Sequence, residues 1–201
     1  MRVLLAIISR NGTCTTGCAV SMLRLQVALR SAPGLHVTID TAPHIHAAAK
    51  AAVQDGGYDT VVAIPSDLAF PATFVLCGLV APFPFVTSVN PLPVIDWDRV
   101  AKTAEDEGED PNYRGNVYNV DAAAAKVAKG ATGYIEVPYA DLGAFIMKRE
   151  AFEAVAAGPA VVDEAVCAAW GKPVHADLEN QCAVMASLEF AGCVGARATL
   201  R

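Results

Sequence analysis

The chain has 201 residues, of which 54% are hydrophobic and 18% are charged, and its formal net charge is -6. This length and apolar fraction are typical of one globular domain with a sizeable core. The acidic balance argues against a nucleic-acid-binding surface, which would normally be basic.

The N-terminal stretch MRVLLAIISRNG contains six apolar residues before Ser9 and Arg10. This run is short for the core of a signal peptide and far too short to cross a membrane. It predicts a buried first strand over residues 3–8. We therefore expect a cytoplasmic protein without a signal peptide or transmembrane segment.

Helical and strand patterns alternate in the next segments. A loop over residues 9–17 is followed by a helix, a strand over 35–40, an Ala-rich helix and a third, buried strand over 58–64. This order predicts a parallel sheet with helices packed on it. Ligands bind such sheets at the carboxyl ends of the strands, where the 9–17 loop and the pair Ser66 and Asp67 lie.

Asp67 follows the third strand in AIPSDLAFP and has two interpretations. Its position at a strand end favours a ligand crevice. Alternatively, Ser66 or Asp67 caps a helix through PATFVLCGL. The local sequence does not decide between the two.

The second half of the chain is less regular. It predicts a strand in FPFVTSV, a loop in NPLPVIDWDRV, and an exposed acidic excursion or lid over residues 101–116. YNVDAAAAKVAKGATGYIEV is compatible with a short helix or strands. A strand ending at Lys148 precedes a helix from about Glu150, and VHADLENQCAVMASLEFAGC predicts a helix with an acidic start. Trp97 is expected to cover the core rather than to line an acceptor site.

The six cysteines lie mostly in apolar segments such as FVLCGL and EAVCAAW. A chain of this length does not need disulfides to fold, so we expect reduced and largely buried thiols. Cys14 and Cys18 form CTTGC, but no second pair has zinc-site spacing, so a structural zinc is not expected. His44 and His46 are interpreted as cap or surface residues.

Four segments together span nearly the whole chain: LLAIISRNGTCTTGCAVSMLRLQVAL, GGYDTVVAIPSDLAFP, DLGAFIMKREAFEAV and ADLENQCAVMASLEFAG. Their order resembles that of the GT-A family of nucleotide-sugar-dependent glycosyltransferases, in particular the small, single-domain kind encoded by large DNA viruses of algae and protists. The first resembles the family's opening strand, nucleotide-contacting loop and helix, and the second resembles its Asp-X-Asp segment. The third resembles the strand and helix behind the sugar site, and the fourth resembles an acidic segment near the end.

The resemblance implies an α/β fold of the GT-A, Rossmann-like type, with a mixed, mostly parallel sheet flanked by helices. A single domain would cover residues 1–201, with a nucleotide-binding half over 1–90 and an acceptor-side half over 91–201. The implied activity is transfer of a sugar from a nucleotide diphosphate sugar, such as a UDP-sugar, to a hydroxyl acceptor on a glycan. No nucleic-acid partner is implied, and a viral protein of this kind would act in the host cytoplasm.

The resemblance also implies roles for individual residues. Asp67 matches the last Asp of the motif and would hold Mn²⁺ or Mg²⁺ on the donor diphosphate, with His175 completing the metal shell. The alternative for His175 is a loop residue before a helix. The donor itself would be bound by Ile8, Ser9, Arg10, Asn11, Lys50, Ser66 and Asp67.

Lys50 could reach a phosphate as a point charge, or it could lie on the solvated face of its helix. An inverting enzyme also needs a carboxylate that takes the proton from the acceptor hydroxyl. Asp141 and Glu179 are the candidates, and a helix start would favour ionised Glu179. The alternative for Glu179 is a stabilising acidic first turn.

The sequence departs from the family pattern at three places. Pro65 replaces the first Asp of the motif, Asn180 follows Glu179 where the family often has Asp, and Ala49-Lys50 replace an Arg-Asn pair. These changes leave open a catalytically degenerate nucleotide-sugar-binding module. A nucleotidyltransferase is disfavoured, because the SRNGTCTTG loop has one Arg and no Lys.

Overall fold

The structure of the chain, a computed structural model, describes residues 1–95, 97–98, 116–120, 132–140, 143–158 and 166–184. The strands are β1 (Arg2–Ile8), β2 (His36–Ala42), β3 (Thr60–Pro65), β4 (Leu68–Ala69), β5 (Phe85–Ser88), β6 (Pro91–Ile95), β7 (Asn116–Tyr118), β8 (Tyr134–Val137), β9 (Phe145–Lys148), β10 (Val174–Asp177) and β11 (Ala183–Val184). The helices are α1 (Thr16–Leu29), α2 (Ile45–Asp55), α3 (Ala72–Val80), α4 (Arg149–Ala157) and α5 (Val166–Trp170).

Seven strands form the main sheet in the order β2-β1-β3-β9-β5-β10-β8. β2, β1 and β3 are parallel neighbours, and β5 and β10 are parallel to each other. β9 is antiparallel to both β3 and β5, and β8 is antiparallel to β10. The carboxyl ends of the five parallel strands therefore meet at one edge of the sheet. The expected α/β architecture with a mixed, mostly parallel sheet is confirmed.

The core forms two layers because alternate strand residues point to opposite faces of the sheet. One layer packs β1 residues Leu4 and Ala6 with buried residues of α2, α4 and α5. The other packs Val3 and Leu5 with buried residues of α1 and α3. Both faces of the central strands are thus covered, as expected for the continuous apolar runs in β1 and β3.

The helix termini follow from local residues. Thr15 caps α1 by accepting a hydrogen bond from the Cys18 N–H, and the His44 ring nitrogen accepts one from the Ala47 N–H at the start of α2. α2 ends at Gly56, whose φ of 69° is in the left-handed region that glycine adopts readily. The cap interpretation of His44 is confirmed. His46 is buried and bonds the Gly158 carbonyl at 3.1 Å, so its assignment to the surface was wrong.

The predicted elements of residues 3–64 are confirmed, as are the strand ending at Lys148 and the helix after it. Two later interpretations were wrong. Residues 91–95, expected as a loop, form β6 and pair with β7. Residues 174–184, expected as a helix, form β10, a turn and β11. Val174 and Ala176 face the same core layer. Buried side chains that repeat every two residues are typical of a strand and incompatible with a helix.

Five cysteines lie among the described residues, and their side chains are thiols rather than disulfides. Cys18, Cys167 and Cys182 are buried as expected, whereas Cys14 and Cys77 are exposed. Trp97 is also exposed, at 70%, so its assignment to the core was wrong. Within the described ranges, no helix combines the length and the apolar character that crossing a membrane requires. The acidic excursion falls almost wholly on residues outside these ranges.

Candidate functional site

The candidate site lies at the carboxyl edge of the parallel strands, where β1 and β3 end side by side. Ile8 pairs with Pro65, and the Ser66 N–H donates to the Ile8 carbonyl at 3.0 Å. The loop after β1 and the turn after β3 are therefore neighbours. The structure thus brings together Ile8, Ser9, Arg10, Asn11, Ser66 and Asp67.

The loop between β1 and α1 is organised by the side chain of Asn11. Its Oδ1 accepts hydrogen bonds from the Ser9 hydroxyl at 3.0 Å and from the Thr13 N–H and hydroxyl at 3.1 and 2.7 Å. The Ser9 hydroxyl also lies 2.7 Å from the Thr13 carbonyl. Asn11 thus closes the loop on itself, and exposed Arg10 projects from a fixed backbone.

Thr15 joins this loop to the turn after β3. Its N–H donates to the Ser66 carbonyl at 2.9 Å, and its hydroxyl lies 3.3 Å from the same oxygen. The hydroxyl oxygen also accepts the Cys18 N–H and so begins α1. One threonine therefore connects the loop, the N-terminus of α1 and Ser66.

Asp67 is half-buried in the two-residue turn between β3 and β4. α3 begins at Ala72 after Pro71, without a side-chain cap, so neither Ser66 nor Asp67 caps this helix. The cap interpretation was therefore wrong. Burial raises the pKa of the Cys18 thiol to about 12, with smaller contributions from Cys14 and the Asp67 carboxylate. The Asp67 carboxylate is therefore close enough to the start of α1 to act on Cys18.

Pro65 ends β3 without disturbing the ladder. Ser66 turns its N–H toward β1, so the backbone of Pro65 faces the opposite neighbour, β9. The pairing of β3 with β9 has already stopped at Ala63 and Phe145. A missing N–H at Pro65 therefore costs no ladder hydrogen bond, which explains how proline is tolerated in a central strand.

A buried polar network lies at the same edge of the sheet, at the end of β5. The Ser88 hydroxyl donates to Asn90 Oδ1 at 3.0 Å and accepts the Ala144 N–H at 2.9 Å. Asn119 donates its Nδ2 to the Ser88 carbonyl at 3.0 Å and accepts the Asn90 N–H at 2.9 Å. Ser88, Asn90 and Asn119 are each at most 3% exposed. The network joins three segments that are distant in sequence.

Gly143 leaves no space for a side chain over this network. A Cβ atom there would lie 2.6 Å from Asn119 Nδ2 and 3.1 Å from Ser88 Oγ. Sequence reasoning missed this network. The signal that could have found it is TSVN over residues 87–90, where polar residues follow a buried strand as they do at Asp67.

Asp177 ends β10 and is fully buried. Its Oδ1 accepts the N–H groups of Glu179 and Asn180 at 3.0 and 3.1 Å, and its Oδ2 accepts Asn180 Nδ2 at 3.0 Å. Burial, followed by the charge of Asp177, raises the pKa of Tyr134 to about 12. Asp177 therefore holds the turn that presents the exposed side chain of Glu179 at the carboxyl edge.

The structure does not bring His175 to Asp67. His175 pairs with Val86, and successive pairings through Ile146 place it level with Val62, well before the end of β3. Three strand spacings, about 14 Å, also separate β10 from β3. The His175 ring instead stacks on Phe83 with centroids 3.7 Å apart.

The other predicted residues are distributed as follows. Lys50 is exposed in the middle of α2, about 7.5 Å along the axis from Ile45. Glu179 lies at the same edge as Asp67, but on a turn and not at a helix start. Asp141 lies outside the described residues.

The charged side chains at this edge include both signs, so they are suited to bind a cation as well as an anion. In the described loops of the edge, Arg10 is the one Lys or Arg side chain, whereas Asp67, Asp177 and Glu179 supply carboxylates. A diphosphate placed beside Asp67 would meet like charge unless a divalent cation lay between them. The hard carboxylate oxygens of Asp67 fit Mg²⁺ or Mn²⁺. In the part of the chain that is described, no three His, Cys, Asp or Glu residues are grouped for metal binding.

Comparison with known proteins gives the fold. No protein-family model and no curated protein matches the chain. The crystal structure of A197 from STIV is similar over 90% of this chain and 84% of that one, with a TM-score of 0.52 and 15% identity. UDP-glucose pyrophosphorylase complexed with UDP-glucose matches over 94% of both chains, with a TM-score of 0.47 and 10% identity. The inositol-1-phosphate CTP transferase from T. maritima matches over 91% and 88%, with a TM-score of 0.42 and 9% identity.

The sheet and its flanking helices define an α/β protein with a Rossmann-like, mixed sheet. The similarity to A197 from STIV shows the same overall fold.

Proposed function

We propose that this protein is a glycosyltransferase that moves a sugar from a nucleotide diphosphate sugar to a hydroxyl acceptor. The main support is the direct joining of the β1 loop to the Ser66–Asp67 turn through Thr15. On this proposal, the hydrogen-bond donors that would contact a nucleoside and the carboxylate that would hold a metal-diphosphate belong to one connected backbone unit. The position matches the edge where ligands bind parallel α/β sheets.

Each part of the donor has proposed partners. The nucleoside contacts the backbone of Ile8 and the Ser9–Asn11 loop, with Arg10 free to reach a phosphate or ribose. The diphosphate lies at Ser66 and Asp67, and Lys50 remains a weaker candidate for a phosphate contact. On this proposal, residues 1–90 contribute the nucleotide side of the crevice and residues 91–201 the acceptor side.

A divalent cation, Mn²⁺ or Mg²⁺, would be held by Asp67 together with oxygens of the donor diphosphate. When bound, it would neutralise the charge that develops on the leaving diphosphate. His175 is too remote in the sheet to join it. Asp67 would therefore be the protein ligand among the described residues, with Pro65 in place of a second carboxylate.

The acceptor hydroxyl needs a base, and we propose Glu179 or Asp141. Glu179 is exposed at the carboxyl edge of the sheet, and its backbone is fixed by Asp177. Asp177 itself is buried, and both of its oxygens accept hydrogen bonds, so it serves as the support of the turn and not as the base.

The alternative is a module that binds nucleotide sugars without turnover. It is favoured by Pro65 and by the separation of His175 from Asp67, which together leave one described carboxylate at the metal position. Binding and turnover must therefore be measured separately.

A thermal-shift panel with UDP-, GDP- and other nucleotide sugars, with and without Mn²⁺, tests donor binding. At a donor concentration about 100-fold above Kd, the expected stabilisation is about 2.7 kcal/mol, or roughly 5–10 °C in Tm. A panel in which no donor raises Tm would overturn the proposal. Stabilisation that is unchanged by EDTA would overturn the metal role of Asp67.

Two matched variants locate the effect. Asp67→Asn should abolish the Mn²⁺-dependent part of the shift, whereas Glu150→Gln, at the opposite edge of the sheet, should leave it unchanged. Release of the nucleoside diphosphate in the presence of acceptor sugars distinguishes transferase from binding module. Donor binding without any release or transfer would favour the module.

A further inference from the structure

Among the described strands, β2 forms one edge of the main sheet. The His36 N–H donates to Met1, and the Ala42 carbonyl accepts from Ser9, so the even-numbered residues of β2 turn their backbone groups toward β1. Because this direction alternates along a strand, the backbone groups of Val37, Ile39 and Thr41 point away from the sheet.

Most of this edge lacks the usual protection against pairing with another strand. The register with β1 is continuous from His36 to Ala42, with no bulge. The sequence HVTIDTA contains no proline and no lysine and is rich in β-branched residues. Ile39 is 43% exposed on the face that carries α1 and α3. Such an edge is suited to accept an added strand.

One outward group is already used. Asp40 Oδ1 accepts the Thr41 N–H at 2.7 Å, which blocks the C-terminal end of the edge. At the other end, the Leu35 N–H donates to the Ala32 carbonyl. Within the described part of this edge, Val37 and Ile39 therefore keep outward N–H groups that can bond an added strand.

We propose that β2 pairs antiparallel with β2 of a second copy of this chain, about a two-fold axis at Thr38. Val37 of each copy then lies opposite Ile39 of the other, and each such pair exchanges two backbone hydrogen bonds. The two seven-stranded sheets become one continuous sheet. Val37 and Ile39 pack across the axis on the same face and remove exposed apolar surface from water.

Charge complementarity favours this register over its neighbours. On the other face it places His36 of one copy opposite Asp40 of the second copy, twice per dimer. A register centred on Ile39 would need the Thr41 N–H that Asp40 already holds. A register centred on Asp40 would place the two Asp40 carboxylates opposite each other, and one centred on Val37 would need the occupied Leu35 N–H.

Light scattering and sedimentation of the full chain test this proposal. Up to about 100 µM, where a micromolar association would be saturated, the mass should approach twice the 20.9 kDa of the chain. Hydrogen exchange should show that the amides of Val37 and Ile39 become protected as concentration rises. A monomer throughout this range, or a dimer whose β2 amides stay unprotected, would overturn the proposal.

Variants separate pairing at β2 from general loss of fold. Ile39→Pro removes only an outward N–H, so it should leave the β1 pairing intact and yield a folded monomer. Val53→Lys, at a residue with a similar 44% exposure on α2, is the matched control and should remain dimeric. His36→Glu should weaken the dimer at least 10-fold, whereas His36→Lys should preserve it. Equal effects of the two His36 variants would rule out this register.

Discussion

At the scale of single residues, the site depends on polar side chains that fix the backbone around the exposed groups. Asn11 shapes the β1 loop with one oxygen, and Asp177 shapes the turn before Glu179 with two. Neither side chain is free to react. Each instead accepts hydrogen bonds from neighbouring backbone N–H groups and so fixes the local chain. Asp177 is fully buried, so it also spares its partners the cost of lacking an acceptor.

Replacing Asp177 should therefore cost stability in proportion to the hydrogen bonds lost. Asp177→Ala leaves two N–H groups and an amide without their acceptor, and we expect a loss of about 2–4 kcal/mol in the free energy of unfolding. Asp177→Asn keeps an acceptor oxygen and should lose less. Urea denaturation measures both values.

The same two variants have a second readout in Tyr134. Burial contributes most to its raised pKa and should act in both variants, but the negative charge of Asp177 is removed. The pKa of Tyr134 should therefore fall from about 12 toward its ordinary value in Asp177→Asn. An unchanged tyrosine titration would contradict the placement of this charge beside the ring.

At the scale of elements, the predictable part of the fold is its local part. The order from β1 to β3 follows from apolar periods and from breaks at Pro33, Gly34 and Gly56. Short elements are harder to predict from sequence periodicity. β10 has four residues, and the acidic pair Asp177 and Glu179 at its end resembles the start of a helix, although Asp177 uses its carboxylate to turn the chain.

The candidate site was predictable to the same extent. Asp67 and the Ser9–Asn11 loop follow directly from strands that the sequence predicts. The network of Ser88, Asn90 and Asn119 depends on contacts between residues up to 56 positions apart, counting the bond from Ala144 to Ser88. The TSVN pattern marks polar residues at the end of β5, but no local pattern specifies which distant residues they contact.

Thr15 offers a test of how one element boundary supports the site. Thr15→Val removes the cap of α1 and the hydroxyl contact with Ser66, and should cost about 1 kcal/mol of unfolding free energy. Because the loop would then be less fixed, nucleotide-sugar affinity should also fall. Thr15→Ser keeps the hydroxyl and should behave like the unmodified chain. Equal losses in both variants would show that the methyl group, not the hydroxyl, matters.

At the scale of the whole molecule, β9 holds the sheet together. It lies between β3 and β5 in the sheet, although it follows β5 by more than fifty residues in sequence. Phe145 and Met147 of β9 lie in one core layer, and Ile146 lies in the other. The two halves suggested by the sequence therefore share their central strand.

A fragment of residues 1–90 should consequently fail to fold alone. It would expose one edge of β3 and leave β5 without either neighbour. We expect no cooperative transition in urea and no stabilisation by a nucleotide sugar, whereas the full chain should unfold in a single transition. Circular dichroism with denaturant titration distinguishes these outcomes. A fragment with its own cooperative transition would show that residues 1–90 form an independent unit.

The late position of β9 in the chain also affects the order of folding during synthesis. β1, β2 and β3 can associate as soon as they leave the ribosome, but the centre of the sheet stays open until residue 148 has emerged. Pairing across that interval has a high contact order, which slows folding. The apolar edge of β3 is exposed throughout this period, and exposed edges promote aggregation. Nascent chains of this protein should therefore depend on chaperones until about three quarters of the sequence has been translated.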